Sequence, residues 1–584
     1  MGNSADSGLA QTTKTGALSH VLGQYESLVK AELNELAAKR FAERLWAQDA
    51  ALWTSKDESQ WLGWLNIVKE QLSNIAQFQE LEKTIKSKNF AHAVLLGMGG
   101  SSLCVEVMRQ TFGSKTGYPS MLVLDSVVPA QVQSIRKQIN PANTLFIVAS
   151  KSGSTTEPNV LCQYFFDETK KLIGEKAGEH FIAITDPGSS MEKRAKDWNF
   201  GHIFYGLPSI GGRFSALSNF GMVPASVMGI DVTALLQHAD AMVEACKSAD
   251  PNSNPGVLLG TILGVLSKNG RDKISIVTSP AVQSLGTWLE QLIAESTGKD
   301  GKGIIPVASE TLSPAADYGN DRLFVYVRLS SKPDAEQDKK IAALEAAGQP
   351  IVRIEMPDII DLGAEFFRWE IATATGGAII GINAFNQPNV QESKDFTKEY
   401  LAEYAEEGAL PENKLLLIED GFELFADDEN AKALKQKAGS PESMSKVLAA
   451  LLSELKAGDY FAINAYVECC PRLESKLQRI RDYVMQKHKV ATTIGFGPRF
   501  LHSTGQLHKG GPNSGVFLQI TADEKEDIAI PGESFGFTVL KEAQALGDFK
   551  ALSSRKRRLL RIHIPADVDG ALDKLFAIIS SCEK

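Results

Sequence analysis

Residues 150–157 read Ser-Lys-Ser-Gly-Ser-Thr-Thr-Glu and concentrate hydroxyl groups in one short stretch. The apolar run 144–149 before it predicts a buried strand, and residues 159–166 after it suit a helix. Hydroxyls and free backbone N–H groups at a helix N-terminus can hold a phosphate-sized anion. Ser154 and Glu157 also have capping-box spacing, so on this stretch alone an ordinary helix cap without a ligand is an equal alternative.

Two glycine-containing loops carry further candidate residues. Residues 97–102 follow a short apolar strand, and their glycines would let the backbone approach a ligand closely. Their spacing is neither a dinucleotide fingerprint nor a Walker loop, so the signal is weak by itself. Arg213 follows Gly211 and Gly212, which could present its guanidinium at close range. An exposed loop arginine is the alternative.

Glu295 lies in the last turn of a helix predicted over residues 282–295. The negative end of the helix dipole disfavours a carboxylate there, which suits a general base. A surface glutamate at a frayed helix end is the simpler interpretation of this spacing. Lys394 lies on a later helix, where a lone lysine is usually solvated.

Residues 499–511 form a loop with two histidines, His502 and His508, among glycines and hydroxyl or amide side chains. A packed core does not need that mixture, so we favour a functional role. The only dense basic run is residues 555–558, Arg-Lys-Arg-Arg, directly before a strand-like segment. We interpret it as a solvated approach to that strand rather than a nucleic-acid patch.

The elements that must position these residues alternate between strands and helices. Apolar strand-like runs occur near residues 93–96, 121–125, 144–149, 180–186, 273–278, 323–327, 351–354, 460–466, 491–494, 516–520 and 559–564. This rhythm predicts an α/β fold with doubly wound parallel sheets, whose ligands bind outside the strand C-termini. Residues 18–48 and 61–88 have helix-like spacing and predict a helical arm.

Composition excludes several classes of protein. The 584 residues need about three or four domains, and the formal net charge of -10 argues against a bulk nucleic-acid surface. The six cysteines are scattered without zinc-ligand spacing, which fits a reducing compartment. Residues 1–6 lack an apolar signal segment, and no apolar run is long enough for a membrane span. We expect a cytoplasmic protein that binds no nucleic acid and no membrane.

Taken together, these segments resemble the phosphoglucose isomerase family of sugar-isomerase (SIS) proteins. The matching stretches come in the family's order, at residues 97–101, 150–157, 211–215, 295–299 and 381–394. The whole chain looks closest to the isomerase half of bacterial transaldolase–phosphoglucose isomerase fusions. The resemblance implies a helical N-terminal arm at 1–89, a first SIS domain at 90–250, a second at 251–400, and a C-terminal α/β domain at 401–584.

The resemblance also implies an activity and residue roles. It implies reversible interconversion of glucose 6-phosphate and fructose 6-phosphate in glycolysis and gluconeogenesis, without cofactor or metal, in a possible homodimer. Glu295 would move the proton, Arg213 would stabilise the enediolate, Lys394 would help open the ring and Gln387 would line the sugar site. The phosphate site would comprise the first- and second-loop residues Gly100, Ser101, Ser150, Lys151, Ser152, Ser154 and Thr155.

The sequence departs from the family at one point. The family usually has a ring-opening histidine between the catalytic glutamate and the lysine, but no histidine lies between Glu295 and Lys394. We expect the C-terminal domain to supply the ring-opening group through His508, with His502 as second choice. In the family this histidine usually comes from the neighbouring subunit, so either the same chain or a partner is possible. Two other functions stay open: a non-catalytic sugar-phosphate-binding regulator, and an isomerase that also accepts mannose 6-phosphate.

Overall fold

The computed structural model describes residues 16–411, 413–439 and 443–582, and the expectation about residues 1–6 lies outside them. The chain begins with a short strand and a helical arm: β1 Leu18–Val21, α1 Glu26–Ala38, α2 Phe41–Trp46, α3 Trp64–Ser73 and α4 Ile75–Lys88. The helical prediction from residue 18 is wrong at its start. Leu18–Val21 pairs antiparallel with residues 351–354 of the second sheet, and this tertiary pairing overrides the local helical pattern.

The first sheet is a five-stranded parallel sheet in the order β3-β2-β4-β5-β6. Its strands are β2 His92–Gly97, β3 Ser120–Leu124, β4 Thr144–Ala149, β5 Phe181–Thr185 and β6 His202–Tyr205. Its helices are α5 Leu103–Phe112, α6 Pro129–Gln138, α7 Thr156–Ile173, α8 Ser190–Asp197, α9 Asn219–Val227 and α10 Val232–Ala245. Alternate residues of β2 enter two different cores, so apolar side chains cover both faces as a parallel sheet requires.

The second sheet repeats this plan and takes in the strand of the arm, in the order β1-β10-β9-β7-β8. Its parallel strands are β7 Lys273–Thr278, β8 Ile305–Ala308, β9 Arg322–Leu329 and β10 Ile351–Met356. The helices are α11 Pro255–Lys268, α12 Leu285–Thr297, α13 Ala335–Ala346 and α14 Leu362–Ile380. One continuous hydrophobic core joins the arm, the first sheet and this second sheet, which fixes their relative positions.

The third sheet has six strands in the order β11-β12-β16-β15-β13-β14. They are β11 Leu415–Glu419, β12 Phe422–Phe425, β13 Tyr460–Tyr466, β14 Ala491–Phe496, β15 Gly515–Ala522 and β16 Arg558–Ile564. The helices of this part are α15 Val390–Glu407, α16 Asp428–Ala438, α17 Met444–Leu452, α18 Pro471–His488, α19 Gly505–Gly510, α20 Phe537–Ser554 and α21 Val568–Ser581. Strands β13 to β16 are parallel, whereas the β11–β12 hairpin is antiparallel.

The predicted α/β class with parallel sheets is confirmed, and the domain boundaries stay a prediction. A smaller apolar cluster joins the end of α12 and strand β8 to the third sheet, through Ala294, Ile305, Leu507 and Phe517 among others. This contact seats helix α19 and the third sheet against the second sheet. Within the described ranges, no helix is long and apolar enough to cross a membrane.

Candidate active site

A cavity of about 450 Å³ lies where the strand C-termini of the first sheet meet the second and third sheets. We call it the central cleft. It is lined by most of the predicted site residues, namely Gly100, Ser101, Ser150, Lys151, Ser152, Thr155, Arg213, Glu295, Gln387 and Lys394. Of the predicted set, Ser154 and His508 do not line it. Segments far apart in the sequence therefore converge on one site.

The hydroxyl turn between β4 and α7 forms one end of the central cleft. Ser150 is buried and its Oγ has no hydrogen-bond partner, which leaves this donor available to a ligand. Ser154 instead bonds Ser152 through their Oγ atoms at 2.9 Å. Lys151 is held by Asp186 and by the carbonyl of Pro208 at 3.3 Å, so its charge is already paired.

The predicted capping box does not form. Helix α7 begins at Thr156 after Thr155, and no side chain caps its first turn. Glu157 turns instead toward the third sheet, as described below. The free N-terminus of α7 and the hydroxyls before it therefore point to an anion site rather than to a self-sufficient cap.

Gly100 allows the loop of residues 97–102 to touch the loop of residues 211–215, which carries Arg213. A Cβ at Gly100 would lie 2.1 Å from the Gly212 carbonyl oxygen, so only glycine fits this contact. Gly99 has a φ of +55°, and its added Cβ would lie 2.6 Å from the His502 carbonyl oxygen. These two close approaches bring Ser101, Arg213 and His502 around one space.

Arg213 is 2% exposed and is held by the end of helix α12 and by the loop that follows α14. Its Nε donates to Ser296 Oγ at 2.7 Å, its Nη1 to Gln387 Oε1 at 3.0 Å and its Nη2 to the Ala384 carbonyl at 2.8 Å. Nη1 also lies 3.4 Å from Glu295 Oε1. A cation and a carboxylate are thus fixed side by side in the central cleft, as proton abstraction next to a carbonyl requires.

Glu295 is positioned by a residue that the sequence analysis missed. Gln291, one turn earlier on α12, donates from Nε2 to Glu295 Oε2 at 3.0 Å and to the His502 carbonyl at 2.7 Å. It therefore ties the carboxylate to the histidine-bearing segment of the third sheet. The four-residue spacing between Gln291 and Glu295 is a visible signal, because such residues share one helix face.

His502 lines the central cleft and is paired with a buried carboxylate. Its Nε2 lies 2.8 Å from Glu157 Oε1, and Gln544 Nε2 donates to the same oxygen at 2.7 Å. Burial alone raises the pKa of Glu157, but the charge and hydrogen bond of His502, with Lys394, outweigh burial and lower it to about 2. Arg499, three residues earlier, donates to Asp125 Oδ1 at 2.7 Å and anchors this segment to the first sheet.

His508, the first choice for the ring-opening histidine, does not reach the central cleft. It is buried in an aromatic cluster, with its ring centroid 5.1 Å from Phe517 and 6.1 Å from Phe500. Burial, with smaller contributions from the charges of Lys509 and Arg557, holds the pKa of His508 well below its usual range. The short helix α19 turns this side chain into the core, so the geometry favours His502, the second choice, and the ring-opening role stays a prediction.

Trp61 is a second lining residue that the sequence analysis did not identify. It ends a short turn of the N-terminal arm, and its Nε1 donates to Asp57 Oδ2 at 3.0 Å. Asp57 Oδ1 in turn accepts from Asn383 Nδ2 at 2.7 Å. The arm thus contributes an aromatic wall to the central cleft.

Comparisons with known proteins agree with this geometry. A family model described as phosphoglucose isomerase matches residues 39–314, which include Arg213 and Glu295. A probable glucose-6-phosphate isomerase of Methanococcus maripaludis is 30% identical over 381 residues, covering 58% of this chain and 84% of that protein. The glucose-6-phosphate isomerase of Lactococcus lactis subsp. cremoris is 27% identical over 385 residues, covering 58% and 86%.

Solved structures share the fold. A hypothetical protein of Thermus thermophilus superposes with a TM-score of 0.58 at 22% identity, covering 66% of this chain and 100% of that chain. A glucose-6-phosphate isomerase from Chlamydia trachomatis gives a TM-score of 0.51 at 21% identity, covering 63% and 78%. The Methanococcus maripaludis relative, which is 30% identical and covered over 84% of its length, shows that the chain belongs to the phosphoglucose isomerase family.

Proposed function

We propose that this chain interconverts glucose 6-phosphate and fructose 6-phosphate through an open-chain sugar and an enediolate. The observation that carries the proposal is the Arg213–Glu295 pair, whose Nη1 and Oε1 atoms are 3.4 Å apart in the same cleft as the hydroxyl turn. A carboxylate beside a fixed cation suits proton transfer between two carbons next to an oxygen that becomes negative.

The phosphate of the sugar occupies the end formed by Ser101, Ser150, Ser152 and Thr155. Hydroxyl donors and the N-terminus of α7 complement its negative charge. Because Lys151 is paired with Asp186, this lysine supports the turn rather than the phosphate. The sugar then extends toward Glu295, with Gln387 and Trp61 along its length.

Ring opening moves a proton from the anomeric hydroxyl to the ring oxygen. His502 and Lys394 both line the central cleft and can exchange these protons with the sugar. The carboxylate of Glu157 lies 2.8 Å from His502 Nε2 and orients the imidazole in the central cleft, which suits His502 for proton exchange with the sugar. His502 belongs to the same chain as Glu295, which supports a site completed without a partner's histidine.

In the isomerisation step, Glu295 takes the proton from C2 of the open-chain aldose. The electron pair of that bond forms the C1–C2 double bond of the enediolate, and the carbonyl oxygen gains the negative charge beside Arg213. Glu295 then returns the proton to C1, while the proton of the C2 hydroxyl is transferred to the negatively charged C1 oxygen, so that the C2 oxygen becomes the ketose carbonyl. Gln387 and Ser296 keep the guanidinium of Arg213 in place throughout.

The relatives named glucose-6-phosphate isomerase favour this reaction over the binding-only alternative. A regulator that only binds a sugar phosphate would need the hydroxyl turn but neither Glu295 nor His502. A coupled assay with the purified chain tests the proposal. Turnover of fructose 6-phosphate is expected, whereas binding without turnover would overturn it. Homodimer formation, a relation to transaldolase fusions and a cytoplasmic location rest on the resemblance and composition alone.

Removing single hydroxyls of the phosphate end is expected to weaken substrate binding more than catalysis. Ser152→Ala and Thr155→Val should each raise KM by about tenfold with little change in kcat, because one hydrogen bond to a charged group contributes about 1.5–3 kcal/mol. Steady-state kinetics measure this, with Thr169→Val as the control, since the Thr169 hydroxyl bonds the Phe165 carbonyl farther along α7. A fall in kcat at unchanged KM would contradict the assignment.

Cyclic and open-chain substrates distinguish the roles of His502 and His508. His502→Ala should lower turnover of cyclic glucose 6-phosphate by about 10²-fold, the low end for a general acid–base group, but affect an open-chain analogue much less. His508→Ala should reduce thermal stability by opening a cavity in the aromatic cluster while sparing kcat. Equal losses on both substrates for His502→Ala, or a selective loss for His508→Ala, would reverse the assignment.

A further inference from the structure

An open cleft of about 660 Å³ lies at the turn between α20 and β16, which carries the basic run of residues 555–558. We call it the basic cleft. Arg555 and Arg557 line it together with Ser554, Asn513 and Phe396. Glu392 is the acidic residue in this lining. The cleft is separate from the central cleft, with which it shares no lining residue.

The neighbouring cations are each paired with a carboxylate, and Arg557 is not. Arg555 Nε donates to Glu392 Oε2 at 2.9 Å, Arg558 Nη1 to Asp459 at 2.6 Å, and Lys509 Nζ to Asp548 at 2.6 Å. Among the ion pairs of the described residues, none includes Arg557. The basic run is therefore neutralised everywhere except at its most buried arginine.

Arg557 is 6% exposed, and its Nη2 donates to the carbonyls of Lys509 at 2.7 Å and Gly511 at 2.8 Å. Its buried Nε has no hydrogen-bond partner. A buried charge without a counter-charge is costly, and buried arginines are normally paired. Burial accordingly lowers the pKa of Arg557. The side chain lines an open cleft, so a counter-ion from solution can reach the position that no carboxylate fills.

We propose that the basic cleft binds a phosphate-bearing small molecule whose negative charge neutralises Arg557. Two guanidinium groups, the hydroxyl of Ser554 and the amide of Asn513 offer several donors to one multi-oxygen anion, which suits phosphate better than a single carboxylate. The cleft volume exceeds that of inorganic phosphate, and the ring of Phe396 offers an apolar wall. The geometry therefore fits an organic phosphate.

Two contacts connect the basic cleft to the central cleft, and this connection rests on the proposed function. Glu392, the partner of Arg555, lies two residues before Lys394 on α15. Arg557 holds the carbonyls that follow His508, in the segment that continues from His502. An anion that draws Arg555 away from Glu392 would shift α15, so occupancy is expected to lower kcat about two- to fivefold rather than only compete with substrate.

The test counts pyrophosphate bound per chain by isothermal titration. The wild-type chain should bind two, one at the hydroxyl turn and one in the basic cleft. Arg557→Gln should bind one, the double variant Ser152→Ala/Thr155→Val should also bind one, and Lys556→Gln should bind two, because Lys556 is outside the lining. One pyrophosphate per wild-type chain, or two for Arg557→Gln, would overturn the site.

Ser554→Asp provides a second variant that leaves the contacts of Arg557 intact. The Ser554 side chain is exposed, so the added carboxylate should fold normally and repel the anion. This variant should also bind a single pyrophosphate. Pyrophosphate should then inhibit fructose 6-phosphate turnover by the wild-type chain in a mixed manner, and turnover by Ser554→Asp purely competitively. Purely competitive inhibition of the wild-type chain by pyrophosphate would overturn the connection between the two clefts. A wild-type chain that binds two pyrophosphates but does not turn over fructose 6-phosphate would instead count against the proposed function.

Discussion

Glu295→Gln is expected to lower kcat by about 10²–10⁴-fold while KM changes little. The amide keeps the size of the side chain and can still accept from Gln291, but it cannot take a proton from C2. The loss therefore falls on the chemical step rather than on folding or binding. Initial rates in a coupled assay, with a circular dichroism spectrum for each variant, measure the effect.

Glu290→Gln is the matched control, because it makes the same replacement earlier on α12, outside the central cleft. Burial raises the pKa of Glu290 to about 7, and its Oε1 accepts from the Ala308 N–H at 3.2 Å. This variant should retain kcat within about twofold. A wild-type rate for Glu295→Gln, or an equal loss in both variants, would show that Glu295 is not the base.

Arg213→Lys is expected to lower kcat by about 10²–10³-fold, the usual effect of removing one donor that stabilises an oxyanion. A lysine keeps the charge but cannot bond Ser296, Gln387 and the Ala384 carbonyl at once, so its position beside the enediolate oxygen is lost. The binding of fructose 6-phosphate should weaken much less than kcat falls.

Arg271→Lys is the control for burying a shorter cation. Arg271 is also buried and donates to the Arg322 carbonyl at 2.9 Å and to Gln349 at 2.7 Å, away from the central cleft. The Arg271→Lys variant should have a lower thermal stability and an unchanged kcat. If Arg213→Lys instead loses stability and activity in proportion, the arginine is structural and the oxyanion role is wrong.

The sheets can be predicted where the sequence offers a continuous apolar run. Strands β2, β4 and β13 are buried along nearly their whole length, and each coincides with such a run. Strands β1 and β11 escape prediction, because each is short and partly exposed and exists only through pairing with a distant or following strand. The local pattern of apolar residues indicates which segments are buried, but it does not show which strands pair in the tertiary structure.

The sequence identifies most of the segments that line the central cleft, but not the direction in which each side chain faces. The loop of residues 499–511 is visible in the sequence, but only the three-dimensional path shows that His502 faces the central cleft and His508 faces Phe517. The sequence favours a capping role for Glu157 because it shows only near neighbours. The partners that Glu157 has in the structure, His502 and Gln544, lie more than three hundred residues away along the chain. Gln291 could be found from its four-residue spacing to Glu295.

The most direct test is a crystal structure of Glu295→Gln soaked with fructose 6-phosphate. The phosphate oxygens should lie within hydrogen-bond distance of Ser152 and Thr155, and the side chain at position 295 about 3–3.5 Å from C1 and C2. Phosphate density beside Lys394 and His502, with the sugar carbons at the hydroxyl turn, would contradict the account.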